Sequence, residues 1–299
     1  MSQHIVINEV GPRDGLQSQD RHLNLDQRQQ LIEALLGAGL KHIEAGSFVS
    51  PKAVPQMAGT GELLARLRIP DDVELSVLVP NMKGYELARE AGAGTVALVA
   101  CATETMNQKN IGMDLAQTFA VAQAIINRGK AEGARVQAYL SVAFECPFEG
   151  PVADEIIVEQ VRQLADWGAD EVVIADTIGA ANPAAVRRLM DALVAEHGAQ
   201  RLACHFHDTR AMGLANVFAA IESGVRKFDS AIGGLGGCPF APGAKGNVAT
   251  EDVVMLCEQM GFTTGIDMPA LLAAVQLSSE LTGYTQGGRA YYWLSNNAA

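Results

Sequence analysis

Short apolar runs of five to eight residues recur along the chain, and most are followed by a longer segment whose apolar positions return every three or four residues. The runs predict strands at 5–9, 42–46, 74–79, 95–100, 136–143, 171–175, 202–207 and 227–232. Several are almost continuously apolar, as strands covered on both faces must be. Between them, 27–36 carries Leu31, Ile32, Leu35 and Leu36 on one stripe, with Gly37 and Gly39 as stops. Asp114 opens a long helix that Gly133 closes. Asn182-Pro183 starts a helix burying Val186, Leu189, Met190 and Leu193. Thr250 is expected to cap 251–260, with Gly261 just past its end. One more helix falls near 270–280, and the aromatic run Tyr291-Tyr292-Trp293 is expected to pack on the barrel or on a partner subunit.

Eight strand–helix pairs is the number that closes a parallel barrel. The expected fold is α/β, a (β/α)8 TIM barrel with a short C-terminal helical extension. It forms one domain over 1–299, with the barrel at about 4–261 and the tail at about 262–299. A doubly wound open sheet competes, but no GxGxxG follows the first strand.

In such a barrel the reactive groups gather where the strands end, and the polar residues there are unusual for a core. His205-Phe206-His207-Asp208 closes the seventh strand, and residues two apart on a strand point the same way. Arg13, Asp14 and Gln17 follow the first strand. Glu44 and Ser47 lie on the second, Tyr139 and Ser141 on the fifth, and Asp176-Thr177 end the sixth. The eighth runs into a glycine-rich loop with Cys238 and, beyond it, Asn247. Asp14, His205, His207 and Asn247 make a mixed oxygen and imidazole set that suits Mg²⁺ or Mn²⁺ better than a structural zinc. The competing reading is a polar network at the barrel mouth. Arg13 can stabilise an oxyanion while a salt bridge to Glu44 or Asp176 holds it rigid. Asp208 is expected to point outward and cap its loop. Cys238, flanked by glycines, is a candidate mobile thiol; Cys101, Cys146, Cys204 and Cys257 read as small buried apolar groups.

Composition narrows the partners. A formal charge of -12 argues against nucleic acid or an anionic membrane. No run reaches the length of a membrane span, no export leader is visible at the start, and five scattered cysteines without CxxC spacing suit a reducing, cytoplasmic setting.

The stretches VGPRDGLQ (10–17), IEAGSFVSPKAVPQM (43–57), DTIG (176–179), HFHDT (205–209) and GLGGCPFAPGAKGNVATED (234–252) resemble the 3-hydroxy-3-methylglutaryl-CoA lyases. These belong to the metal-dependent carbon–carbon lyases and Claisen-condensing enzymes built on (β/α)8 barrels. The resemblance spans the barrel. It implies an acyl-CoA substrate cleaved to acetyl-CoA and acetoacetate, a divalent cation on Asp14, His205, His207 and Asn247, and Arg13 steadying an enolate. It further implies Glu44 and Asp176 shaping the site, Cys238 on a mobile loop as proton donor or gate, Lys109-Asn110 contacting substrate, and a homodimer. The base stays open between Asp14, a nearby acid and a metal-bound hydroxide. Ser18-Gln19-Asp20 stands where such lyases usually carry Asn-Glu-Lys, and Arg210-Ala211-Met212-Gly213 replaces the usual aromatic-containing loop, so the acyl group is open; a citramalyl-CoA-like thioester is an alternative. Lys52, Lys83, Lys109 and Lys245 are candidates for the CoA phosphates. The rivals are a Claisen-condensing synthase, an amidohydrolase, a Cys–His thioesterase and a non-catalytic barrel. An amidohydrolase would carry its HxH after the first strand, and a thioesterase would not need the metal.

Overall fold

A computed structural model of the chain describes residues 3–237 and 246–297. Eight parallel strands close into a barrel in the order β1-β10-β9-β8-β5-β4-β3-β2. They are β1 (Val6–Glu9), β2 (His42–Ser47), β3 (Glu74–Leu78), β4 (Thr95–Cys101), β5 (Arg135–Ser141), β8 (Glu171–Asp176), β9 (Leu202–Phe206) and β10 (Lys227–Ser230). A two-stranded hairpin absent from the sequence reading, β6 (Glu145–Cys146) with β7 (Gly150–Pro151), projects after β5. The surrounding helices are α1 (Leu25–Gly37), α2 (Thr60–Arg66), α3 (Met82–Glu90), the single turn α4 (Glu104–Met106), α5 (Leu115–Glu132), α6 (Asp154–Trp167), α7 (Pro183–His197), α8 (Gly213–Glu222) and α9 (Thr250–Gln259). The tail adds α10 (Met268–Thr282) and α11 (Tyr291–Asn297). No helix among the described residues is long and apolar enough to cross a membrane.

Local chemistry sets the ends. Asp114 accepts from Gln117 N, and Gly133 terminates α5 in the left-handed conformation. Asn182 accepts from Ala184 N and Ala185 N, with Pro183 in the first turn of α7. α1 starts two residues before the segment 27–36 read as helical, because Asn24 and Gln27 form a reciprocal capping box. Thr250 does not cap α9. It is the first helical residue, and its hydroxyl donates to Glu9 Oε2 instead.

Two strands stop two residues earlier than the apolar runs suggest. β5 ends at Ser141 because Val142 adopts φ 52, a backbone a β-branched residue rarely takes. β10 ends at Ser230, since Ile232 N donates to the Glu9 carboxylate and the chain turns away over Ile232–Gly234. In the tail, the aromatic run becomes α11. Leu294 is buried and Tyr291 packs on the core, whereas Tyr292 and Trp293 stay largely exposed, at 69% and 60%.

Candidate active site

The segment after β1 is a π-helical turn, Gly11–Gly15. The amides of Arg13, Asp14 and Gly15 all converge on Val10 O. Such single π turns are uncommon and tend to occur where side chains must be aimed. This one presents Arg13 and Asp14 at the barrel mouth.

His205 is on β9, and His207 lies just beyond the strand end. His207 is held by pairing with a returning segment instead: Val248 N donates to Phe206 O, Asp208 N donates to Gly246 O, and His207 bridges Asn247. A Cβ on Gly246 would lie 2.5 Å from the Gly236 carbonyl carbon, so glycine permits this approach. Asn247 is thereby delivered beside the imidazoles.

The four residues first read as a ligand set therefore meet. Ligand atoms of Asp14, His205 and His207 lie within 4.8 Å of one another. The two imidazole Nε2 atoms are 3.1 Å apart. Asn247 Nδ2 donates to Asp14 Oδ2 at 2.8 Å and to Leu235 O, while its buried Oδ1 has no partner. His205 Nδ1 faces Asp229 Oδ2 at 3.0 Å. A proton shared there leaves the Nε2 lone pair directed at the cluster. A cation fits this arrangement, since it would satisfy the orphaned amide oxygen and separate two nitrogens that otherwise face each other.

Electrostatics agree. Burial works to raise the Asp14 pKa, but Arg13 and the two imidazoles overcome it and hold the carboxylate at about 2. Burial and the neighbouring His205 lower His207 to about 4, so it is neutral and able to ligate. His205 is raised, because its bond to Asp229 outweighs burial.

Arg13 is buried between two carboxylates, with Nε 2.6 Å from Glu44 Oε2 and Nη1 2.7 Å from Asp14 Oδ1. Burial alone would weaken the base, yet the two anions raise its pKa, so the charge is permanent. Of the two carboxylates considered as its anchor, Glu44 holds it. Asp176 accepts from Ala180 N and Ala181 N instead, and burial lifts it to about 6.

Gln17 Nε2 donates to Asp14 Oδ1. Tyr139, buried and raised well above an ordinary phenol by burial and nearby anions, stands edge-on to the His205 ring. Ser47 is buried with an unpartnered hydroxyl. Ser141 Oγ contacts Cys101 Sγ and Ala100 O, and Thr177 Oγ1 accepts from Val142 N, bracing the strained residue after β5. Asp208 caps its loop by accepting from Gly213 N, as expected, and also pairs with Arg289. Lys109 and Asn110 are exposed on a second π turn, Asn107–Ile111, and no ion pair links Lys109 to the cluster among the described residues. Cys238 and Lys245 lie outside the described residues. Cys101, Cys146, Cys204 and Cys257 are buried and free.

Asp229 and Asn8 were missed in the sequence. Asn8 Nδ2 donates to Asp229 Oδ1 at 2.8 Å, fixing the carboxylate that orients His205. The signal was present: Asp229 is an acid inside a buried strand, two residues before the apolar Ala231-Ile232.

The HMGL-like family model matches residues 4–277. The chain belongs to the HMGL-like family. It is 43% identical to the hydroxymethylglutaryl-CoA lyase of Pseudomonas mevalonii over 280 residues, which cover 93% of each chain. It is 42% identical to the 3-hydroxy-3-isohexenylglutaryl-CoA/hydroxy-methylglutaryl-CoA lyase of Pseudomonas aeruginosa over 286 residues, covering 96% of this chain and 95% of that one. A solved HMG-CoA lyase from Acinetobacter baumannii, in complex with coenzyme A and 3-methylmalate, superposes with a TM-score of 0.93 at 39% identity, covering 98% of this chain and 95% of that one.

Proposed function

We propose that this member of the HMGL-like family cleaves 3-hydroxy-3-methylglutaryl-CoA to acetyl-CoA and acetoacetate, using a divalent cation, Mg²⁺ or Mn²⁺. The observation that carries the reading is the convergence of Asp14, His205 and His207, with Asn247 hydrogen-bonded to Asp14, beside a buried, doubly anchored Arg13. Asp14, His205, His207 and Asn247 would hold the cation, which supplies Lewis acidity toward the substrate's 3-hydroxyl and a neighbouring oxygen.

The chain's own residues account for the rest. The 3-hydroxyl passes its proton to a base, with Asp14 and a neighbouring acid as the candidates on this chain, as the bond between the second and third carbons breaks, and the acetyl-CoA fragment leaves as an enolate. Arg13, fixed by Glu44, offers a permanent positive charge to the enolate oxygen without reorganising. Gln17 and Asn247 hold the Asp14 carboxylate in place from two sides. Cys238 is assigned as the donor that returns a proton to the enolate carbon. The cavity of about 330 Å³ beside Asn247, walled by the 233–236 turn and the 284–289 tail, is assigned to the thioester arm.

Asp20 qualifies the acyl group. It accepts from Tyr284 at that cavity's edge, where such lyases usually carry a lysine. The Pseudomonas aeruginosa relative, named for a longer 3-substituent as well, makes such a thioester the second reading. Purified protein with Mg²⁺ or Mn²⁺ should release acetyl-CoA from 3-hydroxy-3-methylglutaryl-CoA, and chelation or His205→Ala should abolish it. Release of free CoA that survives chelation would show a thioesterase instead, and preferential turnover of a longer 3-alkyl thioester would favour the second reading.

A further inference from the structure

Glu9 is a fully buried carboxylate that takes no part in the chemistry above, and among the described residues no cation pairs with it. Its three hydrogen-bond partners are all neutral and all belong to segments that build the site. Oε1 accepts from Gly11 N at 2.8 Å and Ile232 N at 2.9 Å, and Oε2 accepts from the Thr250 hydroxyl at 2.6 Å, which also meets Ser230 Oγ. Gly11 opens the π turn that carries Arg13 and Asp14. Ile232 opens the turn into the glycine-rich segment. Thr250 lies three residues past Asn247.

One carboxylate therefore ties the segment bearing Asp14 to the two segments that bracket Asn247. Gly11 is shaped to it: a Cβ there would lie 2.5 Å from Glu9 Oε1. We infer that Glu9 is a positioning residue for the metal centre, setting the register of the 11–15 turn against the 247–250 segment so that Asp14 and the Asn247 oxygen converge on one ion. This rests on the metal-centre reading above. The requirement is for an acceptor of the right length, since two amides and a hydroxyl must be met at once. Negative charge is not required.

The test compares Mn²⁺ affinity, read from the free-ion electron paramagnetic resonance signal, in four folded proteins. Glu9→Gln keeps an acceptor oxygen for both amides, and its amide group can donate to Thr250, so its affinity should match the unmodified chain. Glu9→Asp withdraws the acceptor by about 1.5 Å and should weaken Mn²⁺ binding by about 10- to 100-fold, as losses behind metal ligands do. Saturating Mn²⁺ should restore its turnover, because every ligand is intact. Thr250→Val should weaken binding in the same direction, and it carries the test if Glu9→Asp fails to fold. Unchanged affinity in Thr250→Val together with a folded Glu9→Asp overturns the inference, as does a Glu9→Gln loss equal to that of Glu9→Asp. An unmodified chain that binds no Mn²⁺ overturns the metal-centre reading itself, which separates the two failures.

Discussion

The side chain at the centre of the chemistry is Arg13, and its worth depends on what fixes it. Glu44 and Asp14 occupy Nε and Nη1, and the whole guanidinium is buried, so its orientation is settled before any substrate arrives. Lysine would keep the charge but has one point of attachment where the planar group has a fork. Arg13→Lys should therefore lower kcat by about 10²- to 10³-fold, the cost of removing a preorganised donor, with little change in KM; steady-state kinetics at saturating Mg²⁺ read the split. A large rise in KM at unchanged kcat would assign Arg13 to binding. At this scale the sequence was informative about identity and less so about partnership. Asp14, His205, His207 and Asn247 could be picked out as candidates because polar groups at strand ends are conspicuous. The choice between Glu44 and Asp176 as the anchor of Arg13 could not be made, since both lie on barrel strands and only the closed barrel shows which lies beside the guanidinium.

Elements were legible where one local rule decided them. Asp114 with Gly133, and Asn182 with Pro183, marked two helices whose caps stand as read. The rule failed where a distant partner competed for the same group. Thr250 looks like a cap, but Glu9, on the other side of the chain's closure, accepts its hydroxyl proton. The run 227–232 looks like one strand, yet Glu9 also takes the Ile232 amide and ends it. Glu9 at the end of β1 and Glu251 in the first turn of α9 are both raised to about 7, chiefly by burial. A carboxyl whose folded pKa exceeds its unfolded value binds protons more tightly when folded. The stability it contributes is full below about 4.5 and is lost as pH rises toward about 7. Thermal denaturation should thus show the protein losing stability across that window, and Glu9→Gln, neutral throughout, should flatten the slope. An unchanged slope would mean Glu9 already shares a proton in the unfolded chain or is ionised in the folded one.

For the whole molecule, the barrel closes one ligand site from both ends of the sequence. Asp14 comes from the first turn after β1, the histidines from the end of β9, and Asn247 from beyond β10, which pairs with β1 to complete the ring. A cation that binds this set binds only the closed barrel, because the unfolded chain separates Asp14 from Asn247 by more than two hundred residues. Its binding free energy then adds to folding, by about 2.7 kcal/mol at a hundredfold excess over Kd. For a domain of this size that corresponds to a rise in Tm of several degrees. Mn²⁺ should raise Tm in a concentration-dependent way, a chelator should reverse the rise, and His205→Ala should show no rise above its own metal-free Tm, which will be lower than the original because Asp229 loses a buried partner. Mn²⁺ that raises the Tm of His205→Ala as much as that of the unmodified chain would place the ion elsewhere. The same closure explains why the ligand set was visible in the sequence only as scattered candidates. Their convergence depends on the pairing of β10 with β1 and of 246–248 with 206–208, contacts whose partners are far apart along the chain.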